Sequence, residues 1–245
     1  MAGGSRPSAG VPRGDAVTQR GLEVRTPGAA SLATLLEAIE ALCPAVSAHG
    51  RRVSAYASRL ASQYGLSASA VETIRIGALL HDIGKIEIPR HILSKPGRLT
   101  EREWVRLRTH SEIGCDLVER MGFGEGVCEI VLHHHERFDG SGYPYRLCGS
   151  AIAWAVRLVT VADAFDALTS DRAYRAPVSI DAARAAIARE AGSRYCPWVV
   201  SGLLSLPRDL LTPQQADTRP VFMMDGSPAP QAAAATRAWV VGGSS

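Results

Sequence analysis

A chain of 245 residues with 46% apolar and 21% charged residues can bury one sizeable core without disulfide or metal staples, and reads as one globular domain with tails. No apolar run approaches the roughly 20 residues of a membrane span, and residues 1–26 lack the hydrophobic middle of a secretory signal, so the chain is expected to be soluble and cytoplasmic. The formal charge of +3, with arginines scattered rather than striped, argues against a dedicated nucleic-acid surface but suits a phosphate-bearing ligand.

Residues 1–30 and 213–245 share a bias to Gly, Ala, Pro and Ser and are expected to be disordered, leaving 31–212 as the domain. Short breakers separate helical patterns in between, without strand alternation or internal repeat, so the predicted fold is all-α. Ser69-x-x-Glu72 and Thr100-x-x-Glu103 fit capping boxes and mark two helix starts. The first helix carries Ile74, Ala78 and His81 on one face; the second carries Leu107 and His110. Val127, Ile130, Val131 and His134 follow the same helical spacing, as do Ile152, Val156, Val159 and Asp163. The five cysteines, Cys43, Cys115, Cys128, Cys148 and Cys196, are odd in number and lack C-x-x-C spacing. They argue against a disulfide framework or zinc knuckle and are read as small buried residues.

Four helices thus place a polar group where core residues belong. A buried polar group without a partner costs roughly 1–3 kcal/mol, and an unpaired carboxylate more. For any single histidine a hydrogen-bonded core residue is the commoner explanation. Taken together, however, adjacent His81-Asp82, adjacent His134-His135, and His49, His110 and Asp163 from separate helices point to a shared metal site.

The segment Leu80-His81-Asp82-Ile83-Gly84-Lys85, with His134-His135-Glu136-Arg137 and Asp139-Gly140-Ser141-Gly142-Tyr143-Pro144 downstream, resembles the HD-GYP family of HD phosphohydrolases, which hydrolyses cyclic di-GMP. The likeness continues through Lys95-Pro96-Gly97-Arg98-Leu99-Thr100, His110, the stretch from Val161 to Thr169, and Asp171-Arg172-Ala173-Tyr174-Arg175, covering roughly residues 45–200. A lone His-Asp pair is a weak signal; two long motifs in consistent order are specific.

The resemblance implies an HD-domain helical bundle with His49, His81, Asp82, His110, His134, His135 and Asp163 as metal ligands, Asp82 bridging two metals. It implies that Lys85 contacts substrate phosphate or positions the attacking water, and that Gly142, Tyr143 and Pro144 line the substrate side, with signalling partners also binding at that loop. Arg172 and Arg175 resemble a basic pair that grips the dinucleotide phosphates. Read without the family, Lys85 is a solvated helix-end lysine, the loop is a turn and the arginines are surface charges. Two metals would neutralise the phosphodiester and lower the pKa of bound water to around 7, and the products would be pGpG and then GMP. Histidine and carboxylate ligation without thiolate suits iron or manganese more than structural zinc.

Three departures stand out. Some relatives carry a glutamate four residues before the first ligand histidine that helps hold a third metal; Ala45 occupies that position here, which favours two metals. The lead into His49 reads Val46-Ser47-Ala48, and a late turn reads Tyr195-Cys196-Pro197. Two alternatives stay open: a catalytically inactive module that binds cyclic di-GMP or a partner, and an HD phosphohydrolase acting on another cyclic or linear nucleotide.

Overall fold

A computed structural model of the chain describes residues 37, 44–171 and 176–212. The expected tails 1–30 and 213–245, Cys43, and the basic pair Arg172 and Arg175 lie outside the described residues. The described part is all-α, with isolated bridges in place of strands, Asp139 to Cys148 and Ala191 to Tyr195. No helix among the described residues is long and apolar enough to cross a membrane.

The first helix whose bounds lie among the described residues, α1, spans Pro44–Gln63. It buries Val53, Tyr56, Ala57, Leu60 and Ala61 along one stripe. The next helix, α2 (Ala68–Leu80), begins two residues earlier than the Ser69 box predicts: Ser67 is the N-cap and accepts from the Ala70 amide, while Glu72 is drawn to Arg75 at 2.7 Å. A 3-10 turn (Ile83–Glu87) and the short α3 (Arg90–Leu93) lead to α4 (Glu101–Arg108), where Thr100 and Glu103 form both halves of the capping box.

The single helix expected to carry both Leu107 and His110 is instead two: α4 stops at Thr109, and His110 opens α5 (His110–Arg120). Then come α6 (Glu125–His133), a 3-10 turn (Gly149–Ala151) that holds Ile152 just ahead of its expected helix, α7 (Trp154–Thr169), α8 (Ile180–Arg189) and α9 (Pro197–Ser205).

Two apolar clusters hold these elements. The larger joins α1, α2, α7, α8 and α9 around Tyr56, Leu60, Ile74, Phe165 and Leu203, with Tyr56 edge-on to Phe165 at 5.1 Å. The smaller packs Ile76, Leu80 and Ile83 against Val118 of α5 and Val127 and Val131 of α6. Gly84 sets the approach between them: a Cβ there would lie 1.9 Å from the His110 carbonyl oxygen and 2.6 Å from the Gly114 nitrogen. Only glycine lets the turn after Asp82 press onto the start of α5.

The cysteine reading holds for the burial of Cys115, Cys128 and Cys196 and needs correction for pairing and for Cys148. Cys115 on α5 and Cys128 on α6 are joined as a disulfide, with Cα atoms 4.8 Å apart, and Cys148 is exposed whereas Cys196 is buried. Count and spacing along the chain carry no information about which helix faces meet.

Candidate metal centre

Five segments bring the candidate ligands together. His81 is the C-cap of α2, His134 the C-cap of α6, and His110 the first residue of α5. Each ring uses the same local device: Nδ1–H donates to the carbonyl three residues earlier, Ala78 at 2.6 Å, Val131 at 2.8 Å and Leu107 at 2.6 Å. A carbonyl can only accept, so this bond fixes the tautomer and leaves Nε2 of each ring as an inward-facing lone pair.

The consequence is an arrangement that lacks something positive. Nε2 of His110 stands 3.3 Å from Nε2 of His134, and two lone pairs cannot hydrogen-bond one another. Nε2 of His135 is 3.2 Å from the same His110 atom. His81 Nε2 and Asp82 Oδ1 are buried without a hydrogen-bond partner. Orphaned acceptors of this kind are costly unless a cation sits among them.

Asp82, 5% exposed, divides its two oxygens. Oδ1 lies 3.4 Å from His110 Nε2 and 3.7 Å from His134 Nε2. Oδ2 lies 3.5 Å from His81 Nε2, 4.0 Å from His49 Nε2 and 2.6 Å from Lys85 Nζ. Two ligand sets result: Asp82, His110, His134 and His135 in one, His49, His81 and Asp163 in the other, with the ligand atoms within each set inside 4.8 Å of one another. Histidine and carboxylate donors without thiolate fit a borderline divalent transition metal.

Charge distribution differs between the sets. Burial pushes His81 and His110 down to about 4 and holds His135 well below the usual histidine range, so these rings are neutral near pH 7. Burial also opposes a charged His49, but hydrogen bonds with Asp163 and then Asp166 outweigh it and raise His49 to about 9. Burial likewise opposes the Asp82 carboxylate, yet Lys85 and then His81 hold its pKa well below the usual range.

Four residues to which sequence reasoning assigned no role complete the site. Asp166 accepts from His49 Nδ1 at 2.7 Å and is itself gripped by Arg52, Nε at 2.6 Å and Nη2 at 3.0 Å. Both follow a ligand by three positions, His49 to Arg52 on α1 and Asp163 to Asp166 on α7, one helical turn away on the same face. Glu136, 1% exposed, accepts from the Tyr145 and Leu147 amides at 2.7 and 3.1 Å and so pins the loop after His135. The fourth is Arg108, whose guanidinium lies over Tyr143, 5.1 Å from the ring centroid.

Within that loop a Cβ on Gly142 would come within 2.4 Å of the Arg137 nitrogen, so the chain can fold back on itself only with glycine there. Tyr143 consequently stacks on His135, centroids 4.7 Å apart and planes at 24°, and Pro144 follows at the rim. Burial, then the nearby Asp82 charge, raises the Tyr143 pKa, keeping its hydroxyl a neutral donor.

A helical domain with histidines and an aspartate converging between its helices defines a class, and comparison with known proteins agrees. The sequence profile of the HD domain matches residues 33–199, and the chain belongs to that family. It is 43% identical over 176 residues to the cyclic di-GMP phosphodiesterase response regulator RpfG of Xanthomonas campestris, covering 71% of this chain and 47% of that protein. It is 39% identical over 172 residues to 3'3'-cGAMP-specific phosphodiesterase 2 of Vibrio cholerae, covering 69% and 33%. The chain therefore spans about a third to a half of the length of these curated relatives. A crystal structure of a cyclic GMP-AMP specific phosphodiesterase of Vibrio cholerae shares the fold, with a TM-score of 0.55 at 21% identity over 76% of this chain and 51% of that one.

Proposed function

We propose that this chain is a metal-dependent phosphodiesterase that opens cyclic di-GMP to pGpG and can continue to GMP. The observation that carries the reading is the division of Asp82 between two ligand sets, Oδ1 toward His110 and His134 and Oδ2 toward His81 and His49. His110, His134 and His135 would hold one divalent ion, His49, His81 and Asp163 a second, with Asp82 shared; iron or manganese suits these donors. Bound there, the ions would supply Lewis-acid charge for the phosphate and lower the pKa of water to around 7.

The remaining chemistry belongs to the chain. Lys85 carries the cationic group that contacts Asp82, Nζ to Oδ2 at 2.6 Å, and offers charge to a phosphate oxygen as negative charge develops. Tyr143, fixed on His135 and kept protonated, can donate a hydrogen bond to a phosphate or to the leaving ribose oxygen. Buried Glu136 holds the Tyr143 loop still, so orientation is set before substrate arrives. Arg172 and Arg175 would add charge to the dinucleotide phosphates.

A second reading, hydrolysis of 3'3'-cGAMP, draws support from the Vibrio cholerae relative of that name at 39% identity. Incubating iron- or manganese-restored protein with cyclic di-GMP and with 3'3'-cGAMP, beside an Asp82→Ala variant, and following products by chromatography tests both. Linear product from the unmodified protein alone supports the assignment, and the faster substrate decides between the readings. Binding of either nucleotide without turnover, metal present, would instead identify a receptor.

A further inference from the structure

We propose that Trp104 and Arg108 form a shelf at the mouth of the metal centre that receives one guanine base of the dinucleotide; the inference rests on the phosphodiesterase reading above. Helix α4 buries no residue at all and leaves Trp104 45% exposed. Polar contacts hold this helix instead: the Thr100–Glu103 capping box, Lys95 to Glu103 at 2.6 Å, and Arg106 to the Glu87 carbonyl at 2.9 Å. A helix kept in place without contributing to the core leaves its large aromatic side chain available for another purpose.

Trp104 and Arg108 lie four residues apart, on one helix face. The Arg108 guanidinium lies 5.9 Å from the Trp104 ring centroid and 5.1 Å from that of Tyr143, and Tyr143 stacks on His135. The row Trp104, Arg108, Tyr143, His135 therefore runs from solvent to the metal-ligand cluster. Its inner end is rigid because Glu136 and the Gly142 close approach fix the loop.

The chemistry of the outer end selects the ligand. Arg52 is committed to Asp166 and Arg106 to the Glu87 carbonyl; the Arg108 guanidinium has ring contacts but donates no hydrogen bond to another described residue. A planar guanidinium fork matches the O6 and N7 acceptors of guanine, whereas adenine presents an amino donor where O6 would be. An indole face stacks any base. Together they favour a dinucleotide that presents guanine to this side.

The test compares kcat/KM for cyclic di-GMP, cyclic di-AMP and the base-free diester bis(p-nitrophenyl) phosphate in the unmodified protein and in Trp104→Ala, Arg108→Ala and Arg108→Lys. The expected result is that the ratio of cyclic di-GMP to bis(p-nitrophenyl) phosphate falls about tenfold in both alanine variants, through KM. The preference for cyclic di-GMP over cyclic di-AMP should narrow in Arg108→Ala and stay narrow in Arg108→Lys. Ratios within about twofold of the unmodified protein in all variants overturn the shelf. If the unmodified protein cleaves no substrate, the phosphodiesterase reading fails separately. Equilibrium binding of cyclic di-GMP to metal-loaded protein then decides: about tenfold weaker binding in Trp104→Ala supports the shelf, and unchanged binding overturns it.

Discussion

The two ligand sets around Asp82 are built from the same residue types, yet they meet the cost of burial differently. In one, His110, His134 and His135 face one another through their Nε2 atoms, with His110 and His135 held neutral by burial, and Asp82 is the sole carboxylate. In the other, His49 lies between Asp163 and Asp166, with Nε2 at 3.1 Å from the first and Nδ1 at 2.7 Å from the second, and it holds a proton up to about pH 9. The first set needs a cation to be satisfied; in the second His81 Nε2 is likewise without a partner, but in metal-free protein His49 already holds a proton between its two carboxylates. Donor type alone does not determine how a site waits for its metal, because the carboxylates behind it also matter.

The largest expected effect comes from removing what the sets share. Asp82→Ala should drop metal content below one ion per chain and hydrolysis by at least about a thousandfold, read by elemental analysis and product chromatography; retention of two ions would break the comparison. His134→Ala should strip metal from the first set and leave the second loadable, so one ion per chain should remain.

Asp166→Asn should be milder, weakening metal affinity about 10–100-fold as expected for loss of an orienting partner. It should also lower the His49 pKa in metal-free protein, measurable by NMR titration, whereas the first set should not respond.

pH sharpens the contrast further. The folded-state pKa of His49, about 9, lies above its ordinary 6.5, so its stabilisation of metal-free protein is present below 6.5 and lost as pH rises through 9. His110 has the opposite sign: depressed to about 4, it contributes stability above 6.5 that is lost as pH falls through 4. Thermal unfolding of metal-free protein should therefore peak near pH 6.5, with a loss of up to about 3 kcal/mol on the alkaline side. Asp166→Asn should flatten that alkaline limb.

Much of this was legible in the sequence, for a definite reason. His81, His110, His134 and Asp163 stand out because each occupies a position where a helical pattern calls for an apolar side chain. Asp166 and Arg52 do not stand out: a carboxylate and a guanidinium at helical spacing look like any solvated face until α1 and α7 are known to pack together. The same blindness hides Glu136, whose partners are backbone amides in its own loop, and the Cys115–Cys128 pairing between α5 and α6.

The two expected caps differ in outcome. Thr100 stands where its box predicts, but Ser67 captured the start of α2 although only Ser69 has a glutamate three residues on. The break at Thr109 carries no proline or glycine to announce it, yet it brings His110 to the head of α5, under the turn that Gly84 makes possible.

The smallest effect concerns the loop. Glu136→Gln keeps one acceptor oxygen and loses the other, an expected cost of about 1–3 kcal/mol in unfolding free energy, with metal content unchanged.

The most direct measurement is anomalous diffraction from manganese-loaded crystals. Two peaks are expected, one ringed by His110, His134 and His135 and the other by His49, His81 and Asp163, with one oxygen of Asp82 directed to each; a single peak, or none beside Asp82, would contradict a shared two-ion centre.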